Sequence, residues 1–385
     1  MRIGIDARFL THPQPGGFKT YTENLIAALA EIDQKNDYIL YLDRPPGAHA
    51  PLKQFQNMTC RVIRGELPIL GMPFREQLGL LRATHHDHLD LLHSPALTAP
   101  LFLSCPLVLT LHDMIWKTLP SGNQIAMKRR LLNSYYEHIP SLAARKATTI
   151  ITVSKAAKAD IVNQLGISPE NIVVTYEAAA PAFKPLSSLQ SKQHVAQKFD
   201  LPSRFLMAIG SADPRKNIES LLHAYVKLPI SLRDVYHLVI VWTHSHLADS
   251  ISRRVQALGL GKQCHFLFSV SMKEMVSLYN LATLFVFPSR YEGFGLPPLE
   301  AMSCKTPVLS ANNSSLPEIV GGGGYLFDAD DIETMADLIQ KLLVNEAERL
   351  ELAERGFRHS ANFSWAKCAN ETVAVYHKCL AAPRN

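Results

Sequence analysis

The sequence predicts an α/β protein of two doubly wound, Rossmann-like domains. Three observations carry that expectation. Short β-branched runs alternate with segments of helical spacing along the chain, the signature of parallel strands joined by crossover helices. The alternation fades across residues 178–200, which open AAAPAFKPLSSL, and then resumes as a second, similar set. At roughly 100–200 residues per domain, a chain of 385 residues has the length for two or three separate cores.

In chain order, MRIGIDA reads as the first strand, followed by the loop HPQPGG and a helix beginning near Thr20 with Leu25, Ile26, Leu29 and Ile32 on one face. YILYL, DLLHSP, PLVLTLHD, ATTIITVS and NIVVTYE continue the first set of strands. RFLMAIGS, HLVIVW, CHFLFS, TLFVFPS, TPVLS and GGYLFD form the second. FSWAKCANETVAVYHKCL closes the chain as an amphipathic helix. The expected division is 1–185, 186–364 and a terminal helix over 365–385. Ligands of open parallel sheets sit beyond the carboxyl ends of the strands. With two such sheets, an interdomain cleft is the expected site, and the residues directly after strands are the ones to read.

Composition narrows the function. The chain is 47% apolar and 19% charged, which excludes a disordered or fibrous protein. The 39 basic and 34 acidic side chains give a net +5, too mild for a non-specific nucleic-acid binder. The excess lies in residues 1–185, with 19 basic and 15 acidic residues against 20 and 19 in the rest. Six cysteines without a CxxC pair read as reduced cytosolic thiols rather than a disulfide or zinc framework. Asp6 and Arg8 break the apolar N-terminus, so it does not read as a signal peptide. Residues 91–111 carry no charge beside His93, but Pro95, Pro100 and Pro106 make them loop and strand, and no membrane span is expected.

Four segments carry chemistry. In PSRYEGFGLPPLEAMS (288–303) a strand runs into a glycine loop, and Pro297 and Pro298 suit the first turn of a helix. Such a junction binds anions on its N–H groups. Glu292 in the loop and Glu300 in the first helical turn place two carboxylates on one cavity, where they suit sugar hydroxyls. The alternative is that Glu300 complements the helix terminus and Glu292 is solvated. In GSADPRKN (210–217), Arg215 and Lys216 stand at the mouth of a strand with Asn217 as N-cap, positive charge where a diphosphate needs it, or simply solvated charge on a turn. His112, after PLVLTL, either donates to a hydroxyl or carbonyl or packs at the sheet edge. Gly16 and Gly17 form a weak phosphate-loop signal without the GxGxxG spacing.

Together these segments resemble the retaining nucleotide-sugar glycosyltransferases of the two-domain GT-B type, in particular the large family that includes bacterial mannosyltransferases of surface-polysaccharide synthesis. The resemblance covers nearly the whole chain. EGFGLPPLEAM matches the family's E-x7-E signature with Glu292 and Glu300. GSADPRKN is similar to its GxxEPRKN segment, HSPALTAPL and LHD to its N-domain strand ends, ITVSKAAKADIV to its last N-domain strand and helix, and FSWAKCANETVAVYHKCL to the C-terminal helix that crosses back to the N-terminal domain. The resemblance implies that Lys216 and Arg215 neutralise the donor diphosphate, Glu300 holds the ribose, and Glu292 lies against the donor sugar. It also implies that Gly293, Phe294, Gly295 and Leu296 contact sugar and phosphate, that His112 bonds a sugar hydroxyl, and that Gly16 and Gly17 admit the phosphate closely. It implies no metal and no cofactor, the nucleotide-sugar being a substrate. Asp213 stands where the family has Glu, and Lys19 where it has a small residue, so Lys19 points to solvent or acceptor.

The expected function is transfer of a hexose from a nucleotide-sugar, GDP-mannose first and UDP-glucose or dTDP-rhamnose next, to a saccharide or lipid-linked saccharide acceptor in the cytoplasm. Rival readings are an epimerase or phosphorylase of the same fold, and a non-catalytic scaffold subunit. Residues 125–147 carry Lys128, Arg129, Arg130, Arg145 and Lys146 with Leu131, Leu132, Tyr135 and Ile139 at helical spacing, either a solvated face or a peripheral contact with an acidic membrane. The His-rich THHDHL (84–89) reads as a solvated face rather than a metal cluster. Gly321–Gly324 read as a turn after a helix whose capping box runs from Ser315 to Glu318.

Overall fold

The protein is described by a computed structural model covering residues 1–12, 16–46, 56–65, 71–118, 127–243 and 248–381, with the side chains of 118 and 127–131 not included. It forms two compact units. Unit 1 comprises Met1–Glu177 with Ser364–Asn385, and unit 2 is the continuous stretch Ala178–Phe363. The first division thus falls eight residues before the expected 185/186.

Unit 1 holds a seven-stranded sheet in the order β3-β2-β1-β4-β5-β6-β7. Its strands are β1 (Arg2–Ile5), β2 (Asp37–Leu42), β3 (Met58–Val62), β4 (Leu91–Ser94), β5 (Leu107–Leu111), β6 (Thr149–Thr152) and β7 (Ile172–Val174), and every pairing is parallel. Unit 2 holds six strands in the order β10-β9-β8-β11-β12-β13. These are β8 (Phe205–Gly210), β9 (His237–Trp242), β10 (Cys264–Leu267), β11 (Leu284–Phe287), β12 (Val308–Ala311) and β13 (Tyr325–Phe327), again all parallel. The β-branched runs become strands because both faces are covered: β5 is buried at every residue, and so are β4, β6, β11 and β12. β3 escapes the pattern reading. It lies at the sheet edge, and MTCRV buries only Met58, so it carries no run of apolar residues to betray it.

In each sheet the chain winds outward from a central strand and then returns to that strand's other side. This places a topological switch point between β1 and β4 in unit 1 and between β8 and β11 in unit 2. Loops leave there in opposite directions, and in open α/β sheets the crevice between such loops is the usual place for a ligand.

Local signals end the elements. Ser154 accepts from the Ala157 N–H at 3.0 Å to start helix Lys155–Leu165, and Gly166, at φ 66°, stops it. Ser271 and Glu274 form a full capping box for helix Met272–Leu281. The Ser315–Glu318 capping box does not form: helix Leu316–Val320 has no side-chain cap, because the Ser315 hydroxyl is used elsewhere, as described below. Gly321–Gly323 make a single 3-10 turn leading to β13. His85, His86 and His88 are exposed, and no cluster of metal-ligating side chains occurs among the described residues. Asp87, between them, is buried and accepts from the Tyr41 hydroxyl at 2.8 Å. No described helix is long and apolar enough to cross a membrane.

Helix Trp365–Ala381 is built into unit 1 and packs on helix Gly17–Ile32. Trp365 meets Tyr21 edge-on at 5.9 Å. The Tyr376 hydroxyl lies 2.7 Å from Nδ1 of His93, whose Nε2 lies 2.8 Å from the Thr110 hydroxyl. His93 is fully buried on β4, and burial, with a smaller effect of His112, pushes its pKa down to about 3. A histidine held neutral in this way contributes stability above its unfolded value of about 6.5, and that stability drains as the pH falls toward the folded value. Unit 1 should therefore lose stability between about pH 6.5 and pH 3. His93→Asn should flatten that slope, as measured by urea unfolding at a series of pH values, and an unchanged slope would refute the assignment.

Candidate active site

In unit 2 the two loops at the switch point are 211–217, after β8, and 288–295, after β11. The first turns through a 3-10 helix at Pro214–Lys216 that Asp213 caps, its carboxylate accepting from the Arg215 N–H at 3.0 Å. Asn217 follows in the left-handed conformation at φ 53°. It stands at the start of helix Ile218–Lys227 but does not cap it with its side chain. Its amide instead donates to the Pro288 carbonyl at 3.1 Å and the Ala329 carbonyl at 2.8 Å, while its oxygen accepts from Ser220. The expected N-cap is thus a buried clasp between loops, because two carbonyls 71 and 112 residues away take the amide that a local cap would leave in solvent.

The loops are sewn together at their tips. The Arg290 N–H donates to the Arg215 carbonyl at 2.8 Å, and Arg215 Nη1 donates to the Tyr291 carbonyl at 3.2 Å. The rest of the Arg215 guanidinium is taken by Asp213, with Nε at 3.0 Å and Nη2 at 2.5 Å from Oδ2. Burial works to raise the Asp213 pKa, but the bonds from Arg215 outweigh it and hold the carboxyl below its usual value. Lys216 points the other way. Its Nζ lies 2.6 Å from Glu292 Oε1 and 5.2 Å from the centroid of the Phe287 ring. The Ser289 hydroxyl donates to the same Glu292 oxygen at 2.7 Å. Both charges are largely sheltered, with 20% of the Lys216 and 14% of the Glu292 side chain exposed, so the pair is less screened than a surface ion pair.

Ser314 and Ser315 shape the glycine loop, and spacing alone gave them no such part. The Ser314 hydroxyl accepts the Glu292 N–H at 2.9 Å. The Ser315 hydroxyl is placed to donate to the Glu292 carbonyl at 3.0 Å and the Phe294 carbonyl at 2.6 Å. Gly293 and Phe294 lead to Gly295, at φ 114°, where an added Cβ would lie 3.0 Å from Leu316. Left-handed backbone and close packing together require glycine there. Phe294 is buried and stands edge-on to Phe363 at 6.0 Å. Leu296 opens helix Leu296–Ser303, with proline in its first turn as expected. Glu300 is the fifth residue of that helix, and no acidic residue lies in the first turn. It therefore does not cap the helix dipole, and its Oε2 accepts from the Tyr279 hydroxyl at 3.1 Å. Burial, then Glu300, drives the Tyr279 pKa far up, so this hydroxyl remains a donor.

In unit 1, Gly17 opens helix Gly17–Ile32 and Gly16 precedes it, and among the described residues nothing beyond the adjoining chain lies within 4 Å of a Cβ built on either. Residues 13–15 of the same loop are outside the described residues. Lys19 bonds its own loop, donating to the His12 carbonyl at 3.0 Å. His112, just after β5, is buried among Phe18, Tyr21 and Glu177. The structure thus gathers Lys216, Arg215, Glu292, Gly293, Phe294, Gly295, Leu296 and Glu300 in unit 2, and Gly16, Gly17 and His112 in unit 1. Glu177 was missed, although it ends the run NIVVTYE, three residues beyond β7, where the carboxyl-end rule directs attention. At the switch point of unit 1, a cavity of about 400 Å³ is lined by Arg8, Phe9, Phe18, Asp43, Thr98 and Tyr136 among others.

Two doubly wound parallel sheets, each with a switch point, make this an α/β protein of the GT-B glycosyltransferase class. The whole fold recurs in sucrose-phosphate synthase of Thermosynechococcus elongatus (TM-score 0.75, 19% identity, 99% of this chain and 100% of that one). It recurs also in HepE of Anabaena, solved with UDP and glucose (TM-score 0.72, 19% identity, 98% and 99%). Residues 15–179 match the model of glycosyltransferase family 4, and residues 190–359 that of the glycosyl transferases group 1. The O-antigen chain mannosyltransferase B of Escherichia coli is 33% identical over 270 residues, 70% of this chain and 69% of that protein. The chain belongs to this family of glycosyltransferases, which joins a family 4 N-terminal domain to a group 1 C-terminal domain. It is also 33% identical over 238 residues to the serotype-specific mannosyltransferase WbdA of Escherichia coli, a match that covers 61% of this chain but spans only 29% of the length of WbdA.

Proposed function

We propose that the protein is a metal-independent, retaining hexosyltransferase that moves mannose from GDP-mannose to a hydroxyl of a saccharide or lipid-linked saccharide acceptor. The observation that carries this reading is the Lys216–Glu292 pair at the unit 2 switch point. A sheltered ammonium there suits a diphosphate, and a carboxylate beside it suits sugar hydroxyls. Lys216 exchanges Glu292 for the donor phosphates, with Arg215 behind it bracing the loop. Glu300, already accepting from Tyr279, takes the ribose hydroxyls, and Gly293–Leu296 line the sugar and phosphate. The names of the relatives in Escherichia coli support mannose as the sugar and surface polysaccharide as the product.

In this mechanism the acceptor oxygen attacks the anomeric carbon on the face that the diphosphate leaves. The new C–O bond forms as the bond to phosphate breaks, and the departing phosphate oxygen takes the acceptor's proton. The cationic Lys216 stabilises the charge that grows on the leaving group, and Arg215 holds the loop that presents it. The unit 1 cavity provides an acceptor face. Phe9 and Phe18 are stacked at 5.2 Å as a platform for a sugar ring.

A thermal-shift panel of nucleotide-sugars tests the donor. GDP-mannose at about 100 times its Kd should stabilise the protein by about 2.7 kcal/mol, with or without EDTA. A response confined to UDP-glucose or dTDP-rhamnose would reassign the donor, loss of the response in EDTA would refute metal independence, and no response at all would favour the scaffold reading.

Action at the cytoplasmic face of a membrane through residues 125–147 belongs to the same proposal. The side chains of Lys128, Arg129, Arg130 and Leu131 lie outside the described ones. Tyr135, on the stripe expected to be apolar, turns inward, its hydroxyl 2.5 Å from Glu76. Flotation with anionic vesicles should be lost when Lys128, Arg129 and Arg130 are all changed to Glu, and binding that survives the change would refute the contact.

A further inference from the structure

We infer that Ser289 is a positioning residue whose hydroxyl anchors the Glu292 carboxylate, holding Oε1 while Lys216 leaves for the donor phosphates and so presenting Oε2 to a hydroxyl of the donor sugar. What Glu292 touches rests on the proposed function, whereas the anchoring does not. Every contact involved lies within unit 2. The backbone of Glu292 is already fixed, by Ser314 on its N–H and by Ser315 on its carbonyl. Only the side-chain torsions remain to be set. Two groups set them, and both grip the same oxygen: Lys216 Nζ lies 2.6 Å and Ser289 Oγ 2.7 Å from Oε1. Neither contact involves Oε2.

The two grips differ in kind. Lys216 ends in a partly exposed ammonium for which a diphosphate competes. Ser289 is completely buried, so no ligand takes its hydroxyl away. That hydroxyl has one hydrogen and three acceptors within reach: Glu292 Oε1, the Arg215 carbonyl at 3.2 Å and the Tyr291 carbonyl at 3.4 Å. The carboxylate is both the nearest and the charged one, so the hydrogen goes to it. Once Lys216 has turned to the phosphates, the Ser289 hydroxyl is the donor that stays on this carboxylate. Without it a sheltered carboxylate beside a diphosphate would have lost both of its donors, at the cost of leaving a charged group unsatisfied. With it the side chain keeps one orientation, and the sugar hydroxyl meets an acceptor already in place.

The test uses the full chain with carbon-13 at the glutamate carboxyls, the Glu292 signal being identified by its loss in E292Q. With no donor present, S289A should displace that signal. It should do so again in the K216A background, because the anchor does not depend on the ammonium. A Glu292 signal that S289A does not move overturns the inference. Calorimetry then compares GDP-mannose, or the nucleotide-sugar that the thermal-shift panel selects in its place, with the corresponding nucleoside diphosphate. S289A should weaken the nucleotide-sugar relative to the diphosphate by about 10- to 100-fold, the worth of one hydrogen bond to a charged group. Equal weakening of both ligands would make Ser289 a structural part of the loop and overturn the inference. E292A should show the same selective loss, and the S289A/E292A double variant should lose no more than E292A. Additive losses would overturn the coupling. A nucleotide-sugar affinity unaffected by E292A would defeat the sugar contact of the proposed function, while the carbon signal still decides whether Ser289 anchors Glu292.

Discussion

Lys216→Ala should lower kcat about 10²–10³-fold, the usual cost of removing one preorganised group that faces charge developing in the transition state. The ammonium stands at the mouth of β8 in a sheltered site, so no mobile cation or water replaces it without reorganisation. In the resting protein it is neutralised by Glu292 at 2.6 Å, and the donor must take it from that carboxylate. Its contribution is therefore realised as charge accumulates on the leaving phosphate, and kcat should fall more than donor KM rises. Transfer of labelled sugar under donor saturation measures this. Unchanged turnover would remove Lys216 from the mechanism and with it the central observation behind the proposed function.

The second large effect concerns stability. Arg75→Met should destabilise unit 1 by about 3–5 kcal/mol, the cost of stripping one partner from a buried ion pair. Arg75 is completely buried. Its Nη2 donates to Asp6 and to the Tyr41 carbonyl, both at 2.9 Å, and its Nε donates to the Ile63 carbonyl at 3.0 Å. Asp6 is equally buried. Burial works to raise its pKa, but Arg75 and Arg8 outweigh it and keep the carboxyl below its ordinary value of 3.8. Since the folded pKa is depressed, the contribution is fully present above the unfolded value and is lost as the pH falls from there through the lower, folded value. The deficit of the variant should thus be full at neutral pH and shrink below about pH 4. Thermal melting at pH 7 and pH 3.5 checks both parts, with a shift of roughly 2–4 °C per kcal/mol for a unit of this size. A loss under about 1 kcal/mol would show that Arg8, 2.7 Å from the other Asp6 oxygen, holds the carboxylate without Arg75.

The strands with two buried faces, and the loops that follow them, were legible because burial on both sides writes continuous apolar runs and turns write glycine and proline. The residues that organise the site were less so. Ser315 fits a capping box by spacing, yet its hydroxyl serves two carbonyls in a loop 21 and 23 residues away. Asn217 and Glu300 likewise carry a helix-end signal and use it for tertiary contacts. In each case a short polar side chain has a local and a distant partner of similar strength, and sequence spacing reports only the local one. The pairing of Glu177 with His112 was hidden for another reason. His112 is 65 residues away after a different strand, and only sheet order, 5-6-7 at that edge, brings the two strand ends together.

The division of the chain bears on how the protein is made. Unit 1 is interrupted: its final helix, Trp365–Ala381, is synthesised after the whole of unit 2. Until then His93 has no Tyr376, Thr175 no Cys368, and Tyr21 no Trp365. Unit 2 is uninterrupted and has every partner for its own core as soon as it leaves the ribosome, so the order of folding during translation should invert the order of the sequence. A nascent chain truncated after Phe363 should resist protease over residues 178–363 while its first 177 residues remain open to cleavage.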